Sequence, residues 1–130
     1  MHINLESDYA VRIVYQMVHL GRRVDAHTLS QATGVSPRFT LKIMGKLAAA
    51  GLVRSYKGAS GGYELAHAPG DITLRQVIEA VEGPYRFSRC VDGGYDCAHS
   101  ASAACPFHAV FDDVTRTVVE KLDTVTFDQF

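Results

Sequence analysis

The 130-residue sequence contains no run of apolar residues that approaches the roughly 20 residues needed to cross a membrane. Its opening residues, MHINLESDYA, also lack the basic segment followed by an apolar segment that is typical of a secretory signal peptide. These two absences lead us to expect a cytoplasmic protein. With 47% hydrophobic residues and a mass of 14.2 kDa, the chain is expected to form one compact domain with an additional element used for association.

Acidic residues are absent from Ala26 to Tyr63, a stretch that carries five Lys or Arg residues. The balance reverses from Cys90 to Phe130, where seven acids accompany Arg116 and Lys121. The net charge of -1 therefore hides a basic middle and an acidic end. A basic segment of this kind favours contact with a polyanion, so the two regions are expected to serve different purposes.

Cysteine is scarce: the chain has three, all between Cys90 and His108, with the spacing C-x6-C-x7-C. An odd number cannot pair up within one chain, and structural disulfides are disfavoured in a reducing cytosol. The surrounding residues are rich in Gly, Ala, Ser and Asp, so the cysteines interrupt a polar loop and do not belong to an apolar helical pattern. This arrangement favours a shared metal or cluster, or redox sensing by thiols.

The sequence also lacks the motifs of an enzyme. No nucleophile paired with a base, no phosphate-binding loop and no pair of catalytic carboxylates is apparent. We therefore expect a regulatory or binding protein without catalytic residues.

Helical periodicity predicts two helices in the first 33 residues. The first spans Glu6 to Leu20 and would be capped by Ser7. The second, AHTLSQAT, follows a capping Asp25 and would bury Leu29 and Ala32.

The third predicted helix is capped by Ser36 and continues through RFTLKIMGKLAAA to Gly51. Its predicted buried face is Phe39, Ile43, Met44, Leu47 and Ala50. Its basic residues recur every four positions on another face: Arg38, Lys42 and Lys46. A basic stripe alone is most often a solvated face. A short helix, a tight turn and a second helix with such a stripe, however, are typical of the helix-turn-helix, whose second helix enters the major groove.

Two short strand-like runs, LVRSY and YELAH, flank the glycine-rich segment KGASGG. This pattern predicts a β-hairpin, and a hairpin directly after a helix-turn-helix makes a winged helix. Arg54 and Lys57 would lie in or beside the wing, where they could contact phosphates or a minor groove. The alternative is an ordinary surface hairpin.

Two further helices are predicted in the second half of the chain, one from Asp71 to Val81 and one that opens at Pro106. The apolar stripe of the last helix extends over roughly five turns and consists of Phe107, Val110, Phe111, Val114, Val118, Leu122 and Val125. A small core does not need a stripe of this length, so we expect a partner helix and a homodimer that reads a palindromic site. The alternative is a helix folded back on its own domain. The predicted fold class is mainly α, with a small β-hairpin wing and a long C-terminal dimerisation helix.

Several segments resemble the IscR/NsrR family of bacterial winged-helix regulators: DYAVRIVYQMVHL, GVSPRFTLKIMGKLAAAGLVRSYKGASGGYELA, ITLRQVIEAVEG and the cysteine segment. The resemblance covers essentially the whole chain. It implies a homodimeric transcriptional regulator, which we expect to be a repressor. A two-iron or four-iron sulfur cluster that senses nitric oxide, redox or iron-sulfur status would control its DNA affinity. The domains would be a winged-helix DNA-binding domain at 1–83, a cluster-binding loop at 84–105, and a dimerisation helix with tail at 106–130.

The resemblance also assigns roles to individual residues. It makes Cys90, Cys97 and Cys105 the cluster ligands. The fourth ligand would be either His108, which closely follows the last cysteine, or Asp8, which would reach across the dimer. Glu6 and His99 are weaker candidates, supported only by proximity in sequence.

The candidate DNA-binding residues are Ser36, Arg38, Leu41, Lys42, Lys46, Arg54 and Lys57. Of these, Arg38, Leu41 and Lys42 fall at positions that face DNA in relatives. Thr40 stands where relatives commonly carry an apolar residue, and Ser60 interrupts the usual glycine run of the wing. The alternative function is a cluster-free thiol-switch or metal-binding regulatory protein that acts through a protein partner; DNA binding that weakens steeply with salt would argue against it.

Overall fold

A computed structural model of the protein describes residues 2–94 and 105–130, which contain five α-helices and a two-stranded antiparallel sheet. The helices are α1 (Leu5–Leu20), α2 (Ala26–Thr33), α3 (Pro37–Ala49), α4 (Leu74–Glu82) and α5 (Pro106–Asp123). The strands are β1 (Val53–Tyr56) and β2 (Gly62–Leu65). This order confirms the predicted fold class, a mainly α winged helix followed by a long C-terminal helix. Within the described ranges, no helix has both the length and the apolar character that a membrane crossing requires.

The start of α1 differs from the prediction. Asn4 caps the helix in place of Ser7, because its side chain accepts a hydrogen bond from the backbone N–H of Ser7 at 2.9 Å. Ser7 is fully buried inside the first turn, and its hydroxyl donates to Glu82 at 2.5 Å. The hydroxyl therefore connects α1 with the end of α4, a long-range role that a local capping rule does not predict.

The start of α4 is also later than predicted. Asp71 lies in a separate 3₁₀ turn, Pro69–Asp71, and the helix begins at Leu74. Thr73 caps it through a reciprocal pair of hydrogen bonds with Gln76: the Thr73 hydroxyl accepts from the Gln76 N–H at 3.1 Å, and the Gln76 side chain accepts from the Thr73 N–H at 2.9 Å. This capping box fixes the helix boundary three residues beyond Asp71.

The hydrophobic core lies where α1 packs against α2, α3 and α4. Its fully buried side chains include Ile13, Val14, Leu29, Ile43, Met44, Leu47, Ile72 and Val77. The predicted inward faces of the first three helices are thus correct in most positions, because helical periodicity places these residues on common stripes.

Three residues predicted to be buried are exposed: Ala32, Phe39 and Ala50. The ring of Phe39 is 41% exposed and lies edge-on to the ring of Tyr9, with 5.9 Å between centroids. The neighbouring Thr40 faces the core instead and is 0% exposed. Its hydroxyl donates to the carbonyl oxygen of Val35 at 3.4 Å, so a polar residue is tolerated where relatives commonly carry an apolar one.

The hairpin is attached to the connection between α1 and α2. The backbones of Val24 and Tyr63 exchange two hydrogen bonds, of 2.9 and 2.7 Å. Gly62 has a φ of +127°, and a Cβ at this position would lie only 2.6 Å from the carbonyl oxygen of Val24. Glycine is therefore required here both by the backbone conformation and by the close approach, which fixes the hairpin relative to the helix-turn-helix.

The last helix begins at Pro106, as predicted. Within the part of the chain that the structure describes, no residue of its apolar stripe is fully buried. Thr115 is the one buried residue of α5, whereas Phe107 and Val110 are 66% and 55% exposed. After the helix the chain returns to the core, where Val125 accepts a backbone hydrogen bond from Leu74 at 2.8 Å. The C-terminal end of α5 is therefore anchored, while its first turns present apolar side chains to solvent.

Candidate functional site

The outward face of α3 combines a capped N-terminus with exposed cationic and apolar side chains. The hydroxyl of Ser36 accepts a hydrogen bond from the backbone N–H of Phe39 at 3.3 Å, which fixes the first turn. Arg38, Leu41 and Lys42 are all exposed on the helix that follows. Arg38 forms no ion pair within the described part of the chain, so its guanidinium is available for an external anion.

Two lysines of the basic stripe are paired with a carboxylate from another helix. Glu6, in the first turn of α1, accepts hydrogen bonds from Lys42 through one oxygen and from Lys46 through the other, the latter at 2.6 Å. The ammonium of Lys46 also donates to the carbonyl oxygen of Val81 at 3.3 Å. The hydrogen bonds from Lys42 and then Lys46 hold the pKa of Glu6 below its ordinary value, against the opposing effect of desolvation.

Glu6 therefore lowers the net positive charge of the basic stripe. The segment from Ala26 to Tyr63 contains no acid of its own, but an acid from α1 neutralises part of its charge. Lys42 remains 52% exposed in its side chain and Lys46 is 35% exposed. The sequence indicated Glu6 only as a weak candidate metal ligand. No local sequence pattern predicts that Glu6 lies next to α3.

The wing carries two exposed cations. Arg54 lies on β1 directly opposite Glu64 of β2, and its guanidinium donates to the carbonyl oxygen of Ala66 at 3.5 Å. Lys57 follows β1 and is exposed at the start of the hairpin loop. The hairpin therefore places a cation at its tip and another along its first strand.

Arg23, which sequence reasoning missed, holds the wing in position. Its guanidinium lies 3.4 Å from the centroid of the Tyr56 ring and donates to the carbonyl oxygen of Ser60 at 3.1 Å. It also approaches Glu64 at 3.9 Å. The only sequence signal was a basic pair, Arg22 and Arg23, directly after α1, which does not reveal that the wing folds over it.

The described cysteines lie on both sides of residues 95–104. Cys90 is half-buried in the 3₁₀ turn Arg89–Val91, and its sulfur lies 3.3 Å from the hydroxyl oxygen of Ser88. Cys105 is also half-buried and is the residue that immediately precedes α5. Cys97 and His99, which were candidate ligands, lie outside the described residues.

The two candidates for a fourth ligand have different surroundings. His108 is half-buried in the first turn of α5, and its backbone N–H donates to the carbonyl oxygen of Cys105 at 3.2 Å. Asp8 instead pairs with Arg12 at 2.7 Å on the surface of α1. Within residues 2–94 and 105–130 of this single chain, no three His, Cys, Asp or Glu side chains are grouped as a metal site.

The segment that leads to Cys90 is fastened to α4 and α5. The backbone N–H of Tyr85 donates to Glu79 at 2.9 Å, and the backbone N–H of Phe87 donates to the hydroxyl of Thr115 at 3.1 Å. The Phe87 ring also packs against Phe111, with 5.4 Å between centroids. The residues just before Cys90 therefore contact both α4 and α5.

Comparison with known sequences agrees with this architecture. The sequence profile of the Rrf2 family, described as an iron-dependent transcriptional regulator, matches residues 3–130. A putative HTH-type transcriptional regulator of Mycobacterium tuberculosis is 35% identical over 86 residues, which cover 65% of this chain and 53% of that protein. The present chain thus matches about half the length of that relative. A putative rrf2-like HTH-type regulator of Rhodobacter capsulatus is 28% identical over 135 residues, which cover 97% and 89% of the two chains.

Solved structures share the fold. IscR of T. potens superimposes with a TM-score of 0.73 at 24% identity, over 98% of this chain and 84% of that one. CymR of B. subtilis, described as the global cysteine regulator, superimposes with a TM-score of 0.76 at 23% identity, over 98% and 94%. The family is described as a transcriptional regulator and the Mycobacterium tuberculosis relative as a putative transcriptional regulator, which agrees with the expectation that this chain is not an enzyme.

Proposed function

Since the chain belongs to the Rrf2 family of iron-dependent transcriptional regulators, we propose that it binds a palindromic DNA operator as a homodimer and represses transcription. The observation that carries the proposal is the outward face of α3, where Arg38, Leu41 and Lys42 are exposed on the second helix of a helix-turn-helix. In this arrangement α3 enters the major groove and the wing lies against the neighbouring phosphates.

The proposed contacts divide by chemistry. Arg38, near the start of α3, would donate to a guanine edge, and Leu41 would contact a thymine methyl group. The remaining members of the candidate set would bind the phosphate backbone and so set position and affinity: Ser36, Lys42, Lys46, Arg54 and Lys57.

The test is DNA binding by fluorescence anisotropy with an operator duplex and a random duplex, each titrated at several salt concentrations. Arg38→Ala is expected to weaken operator binding by about 1–3 kcal/mol and to reduce discrimination between the duplexes. Lys57→Ala should weaken binding to both duplexes alike and lower the salt slope by about 1. Arg116→Ala, which removes an exposed cation from α5, serves as the control. Wild-type protein that binds neither duplex, or both equally, contradicts the proposal.

We further propose that Cys90, Cys97 and Cys105 hold an iron-sulfur cluster with two or four irons, and that Asp8 of the other subunit or His108 completes its ligands. The donor chemistry fits, because thiolates are the usual ligands of such clusters and one nitrogen or oxygen ligand makes a cluster more labile. The half-buried positions of Cys90 and Cys105 support the assignment, since both are partly shielded from water while still accessible. When bound, the cluster would supply sensitivity to nitric oxide, redox state or iron-sulfur status.

Asp8 and His108 would need different rearrangements of their present contacts to become cluster ligands. Asp8 would have to leave its ion pair with Arg12, which itself reaches the carbonyl oxygen of Thr33 at the end of α2. His108 lies in the same turn as Cys105. In the described part of the chain, it would not have to leave an ion pair to become a ligand. On this proposal the chain divides into a DNA-binding domain at 1–83, a cluster-binding loop at 84–105 and a dimerisation helix with tail at 106–130.

Anaerobically purified protein tests the cluster. The wild type is expected to be brown and to contain iron, and Cys90→Ala or Cys105→Ala should each abolish both properties. Mössbauer or electron-paramagnetic spectra of Asp8→Ala and His108→Ala should show which one alters the cluster. Colourless, iron-free wild type would reject the cluster while leaving DNA binding in place. DNA affinity that then changes on thiol oxidation would favour a thiol switch.

A further inference from the structure

One further inference rests on the proposed DNA-binding function. We propose that Glu6 is an internal counter-ion that competes with DNA phosphates for Lys42 and Lys46 and so limits binding to non-specific DNA.

The geometry of the cluster formed by Glu6, Lys42 and Lys46 supports this role. The two carboxylate oxygens of Glu6 each accept a hydrogen bond from a different ammonium group. A backbone phosphate would offer these ammonium groups the same kind of anionic oxygens. The carboxylate therefore occupies the hydrogen-bonding directions that the phosphate would use.

The turn that carries Glu6 is held firmly. The backbone N–H of Asn4 and the hydroxyl of Ser7 both donate to one carboxylate oxygen of Glu82, at 2.6 and 2.5 Å. Because α1 is fixed to the end of α4 in this way, the backbone that carries Glu6 is already ordered, and only side-chain freedom is lost when Glu6 binds the lysines. The side chain of Glu6 is 20% exposed, so its interaction is less screened than that of an exposed surface pair.

Charge and exposure explain why the competition affects specificity. One carboxylate facing two ammonium groups leaves a local charge of +1. Arg38 has no such counter-ion in the described residues, so the residue proposed to read bases stays available. Sequence-independent phosphate binding by Lys42 and Lys46 is thereby weakened more than base recognition by Arg38.

The test compares the full-length wild type with Glu6→Gln, which keeps the size of the side chain and removes its charge. On a random duplex, Glu6→Gln is expected to steepen the salt dependence by one to two phosphate contacts, each about 0.9 in log–log slope, and to bind about tenfold more tightly near 0.1 M salt. The ratio of operator to random affinity should fall. Glu120→Gln, which removes one exposed acid from α5, is the matched control and should leave the slope unchanged. A slope unchanged in Glu6→Gln, or weaker binding, would overturn the inference and leave the DNA-binding function standing.

A measurement without DNA separates the two proposals. Amine acetylation followed by mass spectrometry should show Lys42 and Lys46 reacting several-fold faster in Glu6→Gln, with Lys57 unchanged as internal reference. Equal rates at Lys42 and Lys46 in both proteins would overturn the counter-ion itself. Faster acetylation in Glu6→Gln, combined with a wild type that binds no DNA, would instead overturn the DNA-binding function and, with it, the competition. Circular dichroism of both proteins verifies that the substitution leaves the fold intact.

Discussion

The two longest helices have similar apolar stripes but different surroundings. α1 has 16 residues and buries five of them, whereas α5 has 18 residues and buries Thr115 alone within the described structure. Both stripes follow helical periodicity, so the pattern predicts an apolar face equally well in each case. The comparison shows that periodicity identifies the face of a helix but not what covers it.

The physical difference lies in the number of neighbours. α1 packs against α2, α3 and α4, and its first turn is also fixed by polar contacts with Glu82, Lys42 and Lys46. α5 meets α4 along one edge, where Arg75 pairs with Asp123 at 2.8 Å, and meets the cysteine segment through Thr115. In the proposed homodimer, the opposite edge of α5 is the surface that the second subunit would cover.

The largest expected difference concerns core packing. Ile13→Ala removes a side chain that is 0% exposed in α1, and we expect a loss of about 2–5 kcal/mol in the free energy of unfolding. Val110→Ala, at a 55% exposed position of α5, should change it by less than about 0.5 kcal/mol when the protein is dilute enough to be monomeric. Urea denaturation of both variants checks this. Equal losses would mean that α5 is buried within its own chain.

The second expected effect concerns association. Val110→Glu places a negative charge on the exposed face of α5. In a two-fold dimer, the interface would contain two such charges, one from each subunit. We expect the dimer to dissociate more readily by at least about tenfold in dissociation constant, because buried like charges repel. Sedimentation velocity provides the measurement, with Arg116→Gln as control, because it makes the same change of −1 in charge about 120° around the helix from Val110. A wild type that is monomeric, or a dimer unaffected by Val110→Glu, would contradict α5 as the interface.

The smallest expected effect concerns acid stability of the contact between α1 and α3. Since Lys42 and Lys46 lower the pKa of Glu6 in the folded state, the ionised carboxylate stabilises the fold above its ordinary pKa of 4.5. This stabilisation is lost as the pH falls through the lowered folded-state value. Relative to Glu6→Gln, the wild type should be more stable near neutrality by less than about 1 kcal/mol, since Lys42 is half exposed, and the difference should vanish in acid.

Urea unfolding across this pH range provides the test. Asp112→Asn, which breaks an exposed pair on α5, should show a smaller change at neutral pH. A difference between wild type and Glu6→Gln that persists in acid would show that ionisation of Glu6 is not its source.

Much of the fold follows from short-range signals. The side chain of Asp25 accepts from the backbone N–H of Thr28 at 2.7 Å, Ser36 caps α3, and Pro106 opens α5, all as predicted. The predicted cap of α1, Ser7, is not used, and α4 begins three residues after its predicted start at Asp71. In both cases a neighbouring residue, Asn4 or Thr73, formed the better hydrogen bonds.

The candidate site was less accessible to sequence reasoning. The exposed position of Arg38 was predictable from helical spacing, because it depends on one helix alone. The contact between Glu6 and Lys42 joins residues 36 positions apart, and the contact between Arg23 and Ser60 joins residues 37 apart. No local pattern encodes either pairing.

The amino-acid sequence alone determined the order of the helices, most of their caps, the hairpin and the clustering of the cysteines, because these depend on interactions between residues a few positions apart. The tertiary structure decided which acid meets the lysines of α3, which arginine holds the wing, and which apolar stripe remains uncovered. These features depend on the angles and distances at which helices pack, since an ion pair forms only where packing brings its two charges within a few ångströms.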